Sequence, residues 1–160
     1  MKTIILFLIM ITACDQSGNK LQQMQTRLDS LQMELNNAYK PGFGEFMSSI
    51  QVHHAKLWFA GINENWKLAD FEIHEIREAL EGIQKFNTDR PESNVIGMIN
   101  PAMDSLSNAV QRQSPYAFKS SFVFLTNTCN NCHKTTNHEF NMVIIPANPP
   151  ISNQSFKAVQ

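Results

Sequence analysis

The sequence predicts an all-α protein: a four-helix bundle carrying an N-terminal heptad helix and an extended, Pro-rich C-terminal tail. Three observations lead there. Apolar residues recur at helical spacing through most of the chain, Pro41-Gly42, Gly61, Pro91 and Pro115 punctuate these segments, and the periodicity is lost only beyond residue 139. At 160 residues the chain can hold one modest core plus appendages rather than two full domains.

Residues 1–13 read as a signal peptide. Met1-Lys2 supplies a charged start, and the apolar run from Ile4 to Ala13 is too short to cross a bilayer as a stable helix. Its end, Ile11-Thr12-Ala13-Cys14, looks like a bacterial lipobox, so Cys14 is expected to be lipidated and to become the new N-terminus. The other reading is an ordinary signal peptide that happens to contain a cysteine. The expected location is that of an exported lipoprotein, anchored in a bacterial membrane and facing the periplasm.

Residues 14–42 then comprise the anchor, a polar spacer and a heptad helix. From Lys20 to Lys40, Leu21, Met24, Leu28, Leu31 and Leu35 alternate in steps of three and four, while the other faces are mostly polar. Such a narrow seam must be buried against something. It can form a short coiled coil with a second copy of the chain, giving a homo-oligomer, or lie along the protein's own bundle. Pro41-Gly42 ends this helix.

The bundle is expected over 43–138. Its first helix spans Phe43 to Ala60, with Phe46, Met47, Ile50 and Leu57 on one stripe, His54 on the same face and Gly61 as the C-terminal stop. Asn63 is the expected N-cap of a second helix from Glu64 to about Phe86, whose stripe runs from Leu68 to Ile83. Arg77 with Glu81, and Glu81 with Lys85, form ordinary pairs on its outer face. Residues 87–92 read as a loop. A third helix, capped and started by Asn100-Pro101, carries Ala102, Leu106, Ala109 and Val110, after a short helical turn at Val95, Ile96 and Ile99. The fourth starts with Ser114 as N-cap and Pro115 at its first position, and its stripe is Phe118, Phe122, Leu125, Cys129 and Cys132. Residues 139–160, with Pro146, Pro149 and Pro150, should be an extended tail laid over the domain.

Net charge is −1 and Lys and Arg are not clustered, so no nucleic acid or other polyanion is expected as a partner. The chemistry lies in Cys129-Asn130-Asn131-Cys132-His133, the Cys-x-x-Cys-His signature of covalent haem attachment. Two thiols about one helical turn apart can each add to a vinyl group of one porphyrin. His133 then follows where its imidazole can bind iron as the proximal ligand. The competing readings are a redox disulfide between Cys129 and Cys132, which wants a βαβ context, and a zinc site with His133 or His138, which wants four ligands and a second cluster; neither context is present. The cysteine count closes: Cys14 to lipid, Cys129 and Cys132 to one haem c.

Four helices with Cys-x-x-Cys-His on the last resemble the cytochrome c prime group of helical-bundle cytochromes, over about Phe43 to His138. The resemblance implies that His133 is the proximal ligand and that a side chain from Phe43 to Leu57 approaches the opposite haem face. This chain has Asn137 where the group commonly carries an arginine, and it adds the heptad helix and the tail. The segment 51–66, containing His53-His54-Ala55-Lys56-Leu57-Trp58-Phe59, is also similar to part of exported bacterial bundle cytochromes.

Two inward side chains of the first helix can reach iron from the distal side. His54 is the first candidate, since a core-facing histidine needs a partner, and Met47, seven residues earlier on the same face, is the alternative. Met142, or a distal site left open, completes the options, and His54 can instead bond a haem propionate or a backbone carbonyl. His53 and His74 fall off the main stripes and are expected in solvent; Trp58 and Trp66 are expected to pack in the core or at its rim. The expected function is single-electron transfer by a monohaem cytochrome that serves redox partner proteins and is not an enzyme. The alternative is a haem-based gas binder or sensor with an open distal site.

Overall fold

The computed structural model describes residues 18–35 and 41–159, and it is all-helical, with no strand among those residues. The chain divides into two units, 1–40 and 41–160. In the first, residues 18–35 form helix α1, and Leu21, Met24, Leu28, Leu31 and Leu35 are all exposed along it. The signal peptide at 1–13 and the anchor at Cys14 lie outside the described residues. No helix among the described residues is long and apolar enough to cross a membrane.

The second unit contains α2 (Phe43–Ile62), α3 (Trp66–Phe86), α4 (Asn100–Gln111) and α5 (Pro115–Thr135), with 3-10 turns at Pro91–Asn94 and Ile96–Ile99. α2 packs along α3, α3 on α4, α4 on α5, and α5 returns to α2. The shared core includes Leu57, Ile73, Ile83, Leu106, Phe118 and Phe122, each almost wholly removed from water. Trp58 stacks on Phe118 at 6.3 Å, and Trp66 meets the same ring edge-on at 6.1 Å.

The helix boundaries follow local chemistry, with two corrections to the expectations above. Asn63 does not cap α3. It closes α2 instead, its Nδ2 donating to the Phe59 carbonyl at 2.8 Å. The chain then turns through Glu64 at φ 57°, and Asn65 becomes the cap, accepting from the Leu68 N–H at 3.2 Å. Ser114 caps α5 as its sequence predicts, accepting from the Ala117 N–H at 3.3 Å, with Pro115 at the first position.

Gly61 is also not a helix stop. α2 continues through it to Ile62, and Gly61 is buried where α2 and α5 meet. A Cβ added there would fall inside the Phe118 ring, so the residue is glycine because a neighbouring ring occupies the space. Gly61→Ala is therefore expected to cost about 1–3 kcal/mol through overpacking. Urea unfolding monitored by far-ultraviolet circular dichroism measures it, and an unchanged midpoint would refute the packing role.

The charges are used differently from the sequence expectation. Arg77 reaches across to Asp104 on α4 at 2.7 Å rather than along its own helix to Glu81. His53 is not in solvent: its Nδ1 lies 2.6 Å from Glu72 Oε2, and Lys56 Nζ lies 2.7 Å from the other oxygen. Glu72 is fully buried, so these contacts form an ionic seam between α2 and α3. His74 is exposed, as expected.

Candidate functional site

The last two turns of α5 position Cys129, Cys132 and His133. Cys129 is half-buried against the core, and Cys132 is buried as the continuation of the Phe118, Phe122, Leu125 stripe. All three residues line a cavity of about 550 Å³, within the range typical of small-molecule and cofactor sites. Met47 and His54 of α2 line the same cavity, as does Met142 beyond α5. The structure thus brings together every haem-site residue the sequence nominated.

Burial pushes the Cys129 thiol up to about 12, helped by the proximity of Cys132. Burial also raises the Cys132 thiol, and the charge of Glu92 adds to it. Both therefore remain thiols at neutral pH, in an environment opposite to the electropositive one that activates a disulfide-exchange cysteine.

His133 is held by the segment that follows α5. The chain turns through Asn137 at φ 60°, and Asn130 clamps Val143 from both sides: its Nδ2 donates to the Val143 carbonyl at 2.9 Å, and its Oδ1 accepts from the Val143 N–H at 2.8 Å. That return brings the Asn141 carbonyl to 2.6 Å from His133 Nδ1. A carbonyl can only accept, so Nδ1 carries a proton and Nε2 is the nitrogen left to offer a lone pair. This is the support that orients an iron- or zinc-binding imidazole.

His54 is 3% exposed and tilts against the Phe122 ring at 4.5 Å. Its Nε2 lies 2.9 Å from Thr126 Oγ1. Burial lowers its pKa to about 4, so the ring is neutral at physiological pH. Met47 is half-buried and presents a flexible thioether to the same space.

A charged cluster also borders the cavity. Arg90 forks onto Glu92 through Nε and Nη2 at 3.2 and 3.0 Å, and His138 Nε2 lies 3.7 Å from the same carboxylate. Burial pulls the Glu92 carboxyl upward, but its own backbone N–H and the Arg90 guanidinium outweigh this and leave it below the usual carboxylate range.

Sequence reasoning missed Thr126, the Asn141 carbonyl and the Arg90, Glu92, His138 cluster. Thr126 had a signal, since it lies four residues after Phe122 and three before Cys129 on the inward side of α5. Asn141 acts through its main chain and had none. Compared against known protein families, curated proteins and solved structures, the chain matches none of them.

Proposed function

We propose that this chain is an exported, lipid-anchored monohaem c-type cytochrome that passes single electrons between redox partner proteins outside the cytoplasm, its body a four-helix bundle overlaid by the C-terminal tail. The observation that carries this reading is the convergence of Cys129, Cys132 and His133 with His54 and Met47 around one cavity. The residues present fit a covalently held haem. Two thiols one turn apart border the cavity, and the Nδ1 of the histidine beside them is committed to Asn141, which leaves Nε2 as the nitrogen able to bind iron.

Bound there, the haem would supply a one-electron Fe(III)/Fe(II) couple whose potential depends on axial ligands and burial. The chain's own residues do the rest. Cys129 and Cys132 would hold the macrocycle, His133 would bind the iron, and the apolar wall of Phe43, Ile96 and Ile99 would limit solvent. His54 is the stronger distal candidate: it stays neutral at physiological pH and its ring is fixed by Thr126 and Phe122, whereas Met47 has no such brace. The lipid on Cys14 would keep the carrier at the membrane, and pairing of exposed α1 stripes from two copies would make it a homo-oligomer.

The distal assignment has a direct spectroscopic test. His54→Ala in the exported protein is expected to convert a low-spin spectrum into a high-spin one that shifts with carbon monoxide, while Met47→Leu leaves the spectrum unchanged. The reverse pattern would transfer the role to Met47.

A further inference from the structure

We propose that Thr126 is a positioning residue that decides which nitrogen of His54 is offered to the cavity. Thr126 Oγ1 lies 2.9 Å from the Phe122 carbonyl and 2.9 Å from His54 Nε2. It has a single hydrogen and two lone pairs. Given to the Phe122 carbonyl, that hydrogen leaves the oxygen free to accept, and both short contacts become hydrogen bonds if His54 carries its proton on Nε2. Given to His54 Nε2 instead, it forces the imidazole proton onto Nδ1, which has no hydrogen-bond partner among the described residues. His74 shows the contrast, placing its Nδ1 2.8 Å from the Asp70 carbonyl one turn back on α3. The Nε2–H tautomer thus makes one more hydrogen bond within the protein.

Thr126 is well suited to hold this arrangement. It is 5% exposed, so water does not compete for the hydroxyl, and its β-branched side chain has few rotamers within a helix. Phe122 fixes the plane of the same imidazole.

The consequence is chemical. Since Nε2 is occupied and Thr126 does not border the cavity, the lone pair available from this ring is that of Nδ1. His54 therefore offers the cavity a site for a metal ion and cannot donate a hydrogen bond to a bound diatomic gas or anion. Identifying that ion as haem iron rests on the cytochrome reading above; the assignment of the proton to Nε2 does not.

The test is nitrogen-15 NMR of the His54 ring in the full, reduced exported protein, with Thr126→Ser and Thr126→Val beside the native chain. The native protein and Thr126→Ser are expected to show a slowly exchanging proton on Nε2, and Thr126→Val to lose its protection and, in haem-loaded protein, part of the low-spin signal. A native protein protonated at Nδ1 would overturn the proposal, as would a Thr126→Val ring indistinguishable from the native one. The native spectrum decides by itself, so failure of the valine variant to fold does not protect the idea. An Nε2 proton in a protein that carries no haem sinks the cytochrome reading and leaves Thr126 in its role. An Nδ1 proton in a haem-loaded protein does the opposite.

Discussion

Protein in which Cys129 and Cys132 are both replaced by Ser is expected to carry no covalently bound haem after denaturation. Each single replacement should keep one thioether and a reduced haem stain. The expectation follows from the cysteine count: beyond these two, only Cys14 remains, and it belongs to the predicted lipobox. The loss should be chemical rather than structural. Cys132 is buried at the end of the α5 stripe, while Phe118 and Phe122 carry the centre of the core and are untouched. Removing a buried sulfur for a hydroxyl costs on the order of 1–3 kcal/mol at most if the hydroxyl finds no partner, so helical circular dichroism should persist. Haem staining that survives in the double variant would contradict the proposed attachment.

Glu72→Ala should give a large loss of stability in the second unit, about 3–5 kcal/mol, the usual cost of removing one partner of a buried ion pair. Glu72 is fully enclosed, with His53 at 2.6 Å on one oxygen and Lys56 at 2.7 Å on the other, the latter facing it as an ion pair without a directed hydrogen bond. The lysine and histidine side chains are themselves only 12% and 16% exposed, so the alanine variant leaves Lys56 without its carboxylate and His53 with only Glu75, 3.8 Å from its Nε2. Combining Glu72→Leu with Lys56→Met and His53→Phe should recover most of the loss, because an apolar replacement of a buried ionic cluster is often near neutral. Urea titrations of the variants measure both effects. A Glu72→Ala loss below about 1 kcal/mol, the range of exposed pairs, would show that the seam does not hold α2 to α3.

What could be read from the sequence was local. The α5 stripe, the Ser114-Pro115 start and the approach of Cys129, Cys132, Met47 and His54 to one inner face all follow from helical periodicity and capping chemistry. Glu72 was missed although it left a signal: it lies three residues after Ala69 and four before Ile76, in phase with the buried stripe of α3, and a carboxylate in that phase demands partners. The identity of those partners is tertiary, and His53 was assigned to solvent because it stands off the main stripe of its own helix while facing α3. Gly61 misled for a related reason. A glycine near the end of an apolar run reads as a stop, and only the position of Phe118 on another helix reveals that its missing Cβ matters. The Asn141 carbonyl, which sets the His133 tautomer, depends on how the chain returns after α5 and leaves no mark in side-chain patterning.

On the proposed reading, Cys129 and Cys132 would hold a haem for electron transfer, and His133 and His54 would both bind its iron. The visible absorption spectrum of the full chain, oxidised and reduced, with and without carbon monoxide, tests it most directly. The account predicts a reducible low-spin haem whose spectrum ignores the gas. A high-spin spectrum that shifts with carbon monoxide would contradict His54 ligation and favour a gas-binding function, and a colourless protein would contradict the cytochrome itself.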